Sequence, residues 1–255
     1  MSTVSPIKAF NDNYIWVISN ESGDAVFFDP GCSQPVISYI EKNNLNPLAI
    51  FITHHHDDHI GGVNELKDKY NLTVFGPANE TNLDIDAGLK ENDCIEISQL
   101  DISLTAIETP GHTKGHLCYH SEKHLFCGDT LFSAGSGRIF EGSPEQMYNS
   151  LQKIASLPDD TLIYPAHEYT LANLTFAKHV DPNNNSISEF QQICNDLIAQ
   201  NKPTLPSTLQ KEKKINPFLR CDQEAIKLSA EKYAGRDLNS EVEVFATIRE
   251  MKNNF

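Results

Sequence analysis

The chain has 255 residues, 39% of them apolar and 22% charged, enough to bury one large core or two modest ones. Its net charge of −15 argues against a general nucleic-acid binder, which would show a basic face. No apolar run approaches the roughly 20 residues that a membrane span needs, so neither nucleic acid nor membrane is an expected partner. The charge is uneven, however. Residues Lys211 to Phe255 hold nine of the 20 Lys+Arg and eight of the 35 Asp+Glu, leaving 11 against 27 elsewhere, so an anionic small molecule meets least repulsion in the tail. The six cysteines, Cys32, Cys94, Cys118, Cys127, Cys194 and Cys221, form no CxxC pair. They read as reduced thiols, and Met1 to Phe10 carries no basic segment followed by an apolar stretch, so the expected location is cytoplasmic.

In chain order, Tyr14–Ile18 and Ala25–Phe28 read as strands, the second stopped by Asp29-Pro30-Gly31. Val36–Lys42 has helical spacing, Leu48–Thr53 is a buried-type strand, and Val63–Tyr70 is a helix behind Gly61-Gly62. Strands follow at Thr73–Phe75, Ile102–Ile107, Leu117–His120 and His124–Cys127, the last two flanking the turn Ser121-Glu122-Lys123. Ser143-Pro144 supplies a cap and a first-turn proline for a helix that buries Met147, Leu151 and Ile154. Thr161–Tyr164 is the last strand in this reading. After about Asn173 only helices are expected: one opened by the capping box Ser186-x-x-Glu189, one over Glu224–Ala234 stopped by Gly235, and one opened by Ser240-x-x-Glu243 and running to about Lys252. The pattern implies an α+β protein with sheets covered by helices over residues 1–173 and an α-helical domain over residues 174–255.

The chemistry is concentrated in Thr53-His54-His55-His56-Asp57-Asp58-His59. On an extended backbone His54 and His56 point the same way and suit one ion, while Asp58 and His59, as neighbours, diverge toward a second. His55 alternates with the ligands and should point away. The bland alternative is a His-rich surface loop, but a preceding strand and following glycines fix this segment. Three further candidates each lie just past a strand: His112 after Thr109-Pro110-Gly111, Asp129 after Gly128, and His167 after Pro165-Ala166. Asp129 is the natural bridge, since one oxygen can face each ion. Imidazole and carboxylate donors suit zinc. Two ions side by side supply hydroxide at neutral pH and polarise a carbonyl, so hydrolysis is the expected reaction. There is no G-x-S-x-G elbow and no phosphate-cradling loop to compete. His116, His120, His124 and His179 read as structural or exposed.

T-H-x-H-x-D-H, followed by P-G-H-T, G-D-T and A-H-E-Y, resembles the metallo-β-lactamase superfamily. Asn11–Trp16, Thr109–Thr113, Gly128–Phe132, Phe140-Glu141-Gly142, His167–Thr170 and Asn216–Arg220 narrow the resemblance to the glyoxalase II (hydroxyacylglutathione hydrolase) family along essentially the whole chain. The resemblance implies an αββα sandwich with a C-terminal α-helical domain. It also implies His54, His56 and His112 on one ion, Asp58, His59 and His167 on the other, and Asp129 between them. The implied reaction is hydrolysis of S-(2-hydroxyacyl)glutathione, S-D-lactoylglutathione giving D-lactate and glutathione, as the second step of methylglyoxal detoxification. His54, Asp58, His59 and Asp129 would serve the chemistry, with Asp58 also orienting the hydroxide. Arg138, Tyr169, Arg249 and Lys252 would hold glutathione in a chain that acts as a monomer. A tyrosine used by some members stands here as Phe140, and Ser136 stands where many carry cysteine. Arg249 and Lys252, three apart, share a helix face and can close on one anion; alternatively they only complement the helix dipole. A one-iron persulfide dioxygenase of the same superfamily needs fewer ligands than this chain retains, and a secreted β-lactamase would want a signal peptide.

Overall fold

The structure, a computed structural model, describes residues 2–80 and 83–255. It divides into two compact units, one over residues up to Thr109 together with Lys114–Gly128, the other over Pro110–Thr113 and Asp129–Phe255.

The first unit runs β1 (Thr3–Ala9), β2 (Asn13–Ser19), β3 (Asp24–Phe28), α1 (Ser33–Asn43), β4 (Asn46–Phe51), α2 (Asp57–Ile60), α3 (Val63–Tyr70), β5 (Thr73–Pro77), β6 (Ala87–Leu89), β7 (Cys94–Ile97), β8 (Ile102–Glu108), β9 (Leu117–Ser121) and β10 (His124–Gly128). β1, β2 and β3 pair antiparallel, whereas β3, β4, β5 and β6 pair parallel. The parallel steps need crossovers, and α1 and then α2 with α3 provide the first two. β7 to β10 form an antiparallel meander. Side chains alternate across the first sheet, so neighbours serve different layers. Phe27, Ile50, Ile15 and Val17 pack with Val36, Ile37 and Ile40 of α1 and with Val63 and Leu66 of α3. Phe28 and Phe51 face the meander, where Phe28 stacks on Phe126 at 3.8 Å and Phe51 meets Tyr119 edge-on at 5.3 Å. The buried Tyr119 hydroxyl donates to Ile52 O at 2.6 Å, tying β9 to the end of β4.

The second unit runs β11 (Leu131–Phe132), β12 (Gly135–Ser136), α4 (Pro144–Ala155), β13 (Leu162–Pro165), α5 (Thr170–Val180), α6 (Asn185–Ala199), β14 (Ser207–Thr208), α7 (Leu209–Ile215), α8 (Glu224–Ala234) and α9 (Glu241–Asn253). Ser143 and Gln146 form a reciprocal capping box on α4, which buries Met147, Leu151 and Ile154. Leu174, Ala177, Ile187, Phe190, Cys194 and Ile215 close a core between α5, α6 and α7. Phe218 joins Phe176 of α5 to Phe245 of α9 at 6.1 and 5.7 Å.

Two sequence expectations are corrected. Asn184, not Ser186, caps α6, because its side chain accepts from Ser186 N and the helix starts two residues earlier than the box implied. The tail is also not purely helical: Ser207 and Thr208 pair with Ile163 and Leu162 as β14. Among the described residues no helix is long and apolar enough to cross a membrane.

Phe28 is 2% exposed and touches Phe51, Tyr119 and Phe126, so it staples the two sheets of the first unit. Phe28→Ala should cost about 3–5 kcal/mol, because a cavity is left that a rigid sheet cannot collapse to fill. Denaturant unfolding of parent and variant, compared at equal slope, measures that cost.

Candidate metal centre

Within the first unit the motif grows directly out of β4. His54 is wholly buried, and its Nε2 lies 3.0 Å from Nδ1 of His56, as an extended two-residue spacing requires. The backbone then turns into the single helical turn α2. Asp58 and His59 were expected to diverge as neighbours. On the helical turn they meet instead, with Asp58 Oδ2 3.5 Å from His59 Nε2. Ligands about 2.0–2.2 Å from one ion sit about 3.0–3.5 Å apart at tetrahedral or octahedral angles, so both spacings match edges of a coordination shell. His55 contacts Glu80, away from His54 and His56, whose rings cross its own at 73° and 70°.

The partners around these ligands decide which ring nitrogen each presents. Asp29, 5% exposed at the end of β3, accepts from Thr53 N and Thr53 Oγ1, both at 2.7 Å, and from His59 Nδ1 at 3.0 Å. Thr53 Oγ1 also lies 3.0 Å from His54 Nδ1. Both rings therefore turn Nε2 toward the cluster, which is how outer-shell partners fix tautomer and orientation. Asn13 Nδ2 donates to Asp58 Oδ2 at 3.0 Å. His116, fully buried, stacks on His54 at 4.9 Å while its Nδ1 meets Thr109 Oγ1 at 3.0 Å. The approach is tight: a Cβ on Gly31 would sit 1.8 Å from Asp58 O, so nothing larger than glycine fits between β3 and α2.

Within the second unit, Asp129 divides its carboxylate between two imidazoles. Oδ2 lies 3.4 Å from His112 Nε2, and Oδ1 lies 3.5 Å from His167 Nε2. His112 Nδ1 is held at 2.7 Å by Arg138 O, which again presents Nε2. Tyr169 stacks on His167 at 4.8 Å with the rings 4° from parallel, and Phe132 meets both edge-on. Phe140 is 59% exposed, 5.2 Å from the His112 ring, with the Arg138 guanidinium over its face at 5.6 Å.

The same unit gathers cations. Arg249 is 8% exposed, donates from Nη1 to Ser136 O at 2.7 Å, and lies over Phe218 at 5.2 Å. Its Nε is buried without a hydrogen-bond partner. Burial, then the nearby charge of Arg138, pushes its pKa down to about 10. Burial and the neighbouring Arg249 likewise lower that of Lys252, whose ammonium lies over Phe176 and Phe255. Among the described residues no carboxylate pairs with Arg138, Arg249 or Lys252. A merely dipole-complementing arginine would sit in solvent over the last carbonyls; Arg249 is buried instead against the β12 backbone.

Asp29 and Asn13 are supporting side chains that ligand-spacing arguments do not name. The signal for Asp29 was present, since it follows a strand end as His112, Asp129 and His167 do, but Asp-Pro-Gly also reads as an ordinary turn. Asp29→Ala should weaken retention of metal about 10–100-fold, because His59 and Thr53 lose their anchor. Chelator competition measures this, and retention equal to the parent's would show that Asp29 only shapes the turn.

Comparison with known proteins fits this geometry. The profile of the Metallo-beta-lactamase superfamily matches residues 10–167, and that of the Hydroxyacylglutathione hydrolase C-terminus matches residues 168–255. The chain is 50% identical to the hydroxyacylglutathione hydrolase of Nitrosomonas eutropha over 100% of both chains. It is 48% identical to that of Photobacterium profundum, again over 100% of both. A crystal structure of ETHE1 from Myxococcus xanthus shares the fold, with a TM-score of 0.68 at 22% identity, covering 98% of this chain and 91% of that one. The metallo-β-lactamase fold, an αββα sandwich, together with these His and Asp donors supports binding of divalent metal. Similarity that runs unbroken from the first strands to the last helix places the chain in the hydroxyacylglutathione hydrolase family of the metallo-β-lactamase superfamily.

Proposed function

We propose that the chain hydrolyses S-(2-hydroxyacyl)glutathione thioesters, converting S-D-lactoylglutathione to D-lactate and glutathione, the second step of methylglyoxal detoxification. The observation that carries the reading is Asp129, whose two oxygens face different imidazoles, as a carboxylate bridging two ions would. In this reading His54, His56 and His112 hold one ion, Asp58, His59 and His167 hold the other, and Asp129 joins them. Zinc suits the donors best, with iron or manganese as alternatives. When bound, two such ions bring the pKa of water to about 7 and polarise the carbonyl under attack.

The chain's own residues do the rest. Asp58, steadied by Asn13, orients the water and accepts its proton. Water adds to the acyl carbon, the C–S bond breaks, and glutathione departs as a thiolate that is then protonated. Arg138, Tyr169, Arg249 and Lys252 hold the tripeptide, its carboxylates meeting cations that have no acidic partner among the described residues. We read residues 1–173 as the catalytic domain and 174–255 as the substrate-binding one, in a cytoplasmic monomer; six free cysteines support that location.

Purified protein should carry close to two ions per chain and release thiol from S-D-lactoylglutathione. Asp129→Ala should lose both ions and turnover, and a single tightly bound ion in active enzyme would sink the dinuclear reading. Arg249→Ala and Lys252→Ala should raise KM about tenfold or more each, since a hydrogen bond to a charged group is worth about 1.5–3 kcal/mol. Cations bind below their pKa, so KM should stay flat from neutral pH and climb as pH passes the value of about 10 at Arg249. A KM unchanged in both variants would leave the tail as scaffold only.

A further inference from the structure

Outside the ligands, the least expected group in the second unit is Glu212 on α7. It is wholly buried, and burial pushes its pKa upward. No cation pairs with it among the described residues. A buried carboxylate without a counter-ion is costly unless hydrogen bonds replace the lost water, and here they come from the β11–β12 turn and from Asn216 at the end of α7. Oε1 accepts from Ser133 Oγ at 2.8 Å, and Oε2 accepts from Ala134 N at 2.7 Å and from Asn216 Nδ2 at 3.2 Å. Ser133 and Ala134 are the turn between β11 and β12. Asn216 Nδ2 also reaches Phe132 O and Gly135 O at 3.1 and 3.0 Å, and Asn173 Nδ2 reaches Ser133 O at 3.1 Å. The helices therefore satisfy the polar groups of this turn. They also hold Ala134 at φ 54°, a left-handed conformation that a non-glycine residue rarely adopts unaided.

This turn is the support of three functional groups. Past β12 the chain folds back on Asp129 so closely that a Cβ on Gly137 would sit 1.8 Å from Asp129 O, and Gly137 N donates to Thr130 O at 3.0 Å. Ser136 O receives Arg249, and Arg138 O receives His112 Nδ1. A shift of the hairpin would move the backbone of Asp129, release the tautomer lock on His112, and unseat Arg249 together.

We propose that Glu212 is a positioning residue: through the Ser133–Ala134 turn it sets the β11–β12 hairpin, and with it the bridging carboxylate Asp129, the ligand His112 and the cation Arg249. The metal consequence rests on the function proposed above; the hairpin consequence does not. The carboxylate is needed for its acceptors and not for its charge. Glutamine can place its amide oxygen at Oε2 for Ala134 N and Asn216, and its NH2 at Oε1, where the Ser133 hydroxyl can rotate to accept. Alanine can do neither.

The experiment compares parent, Glu212→Gln and Glu212→Ala in metal retention under chelator competition, in KM and kcat, and in amide exchange at Ala134. Glu212→Gln should stay close to the parent in all of them. Glu212→Ala should lose metal about 10–100-fold more readily, as removal of an outer support does, with KM raised and Ala134 exchanging faster. Should Glu212→Ala not fold, Glu212→Gln combined with Ser133→Ala leaves a buried amide NH2 without an acceptor. That pair should then lose more metal than the two single changes summed. A folded Glu212→Ala protein with only a lower Tm, and with parental metal retention and KM, overturns the proposal. Unchanged exchange at Ala134 overturns it even if the parent were to hold no metal, which would be a failure of the functional reading alone.

Discussion

Asp29 takes donors from three points of the segment that follows β4: the Thr53 amide, the Thr53 hydroxyl and the His59 ring. It does so at the end of β3, the strand paired with β4, and at φ 49°, a conformation its own backbone does not favour. The parallel ladder thus fixes one end of the carboxylate, and the carboxylate fixes the loop. Once Thr53 is pinned, its hydroxyl sets the His54 ring, and His54 in turn stacks on His116, which Thr109 holds. The imidazoles of the first unit are therefore oriented by groups that sit just past strand ends, and little of their geometry is left to the loop. A site that must hold donors a few ångströms apart gains from such rigidity, because imidazoles free to turn would have to be ordered at each binding event.

The second unit reaches the same end by a different device. Beside Asp129 its strands β11 and β12 are only two residues each, and buried side chains of the helices make up for their few ladder bonds. Glu212 and Asn216 hold the β11–β12 turn, while Glu168 accepts from Thr170 Oγ1, Thr204 N and Thr204 Oγ1 beside His167. Fully satisfied polar networks of this kind specify one arrangement in a way that apolar packing does not, since a shifted register would leave buried donors unpaired. Side chains of the helical tail thus complete the support of the segments that carry Asp129 and His167.

The sequence showed some of this plainly. Residues such as His54, His112, Asp129 and His167 announce themselves, because ligand chemistry tolerates few side-chain types and all four sit just past apolar runs. Continuous apolar runs made β2 and β3 readable, alternation made β8 readable, and Ser143 and Ser240 marked helix starts. The supporting residues were not legible. Asp29 in Asp-Pro-Gly is indistinguishable from a turn former, and Glu212 lies in the lysine-rich stretch Lys211-Glu212-Lys213-Lys214, where a carboxylate looks solvated. Its burial depends on α7 being placed against β11–β12, a tertiary fact that no local pattern encodes. β1 was missed for a related reason. Pro6 interrupts its alternation and is tolerated only because β1 is an edge strand.

Arg249 shows how the charge balance and the fold meet. A chain of net charge −15 repels an anion at long range, so attraction must be local. Burial against β12 removes Arg249 from competing water, and the Ser136 carbonyl together with the face of Phe218 holds it without neutralising it. The cost appears as the depressed pKa that Arg138 deepens. In the function proposed above, an arriving carboxylate would relieve that repulsion as well as adding its own attraction. Arginine is suited to such a place because it stays charged at neutral pH even when its pKa has fallen to about 10. A lysine there would have started lower and been pushed further toward the neutral amine, and the planar fork that spans the Ser136 carbonyl and an incoming carboxylate would be lost.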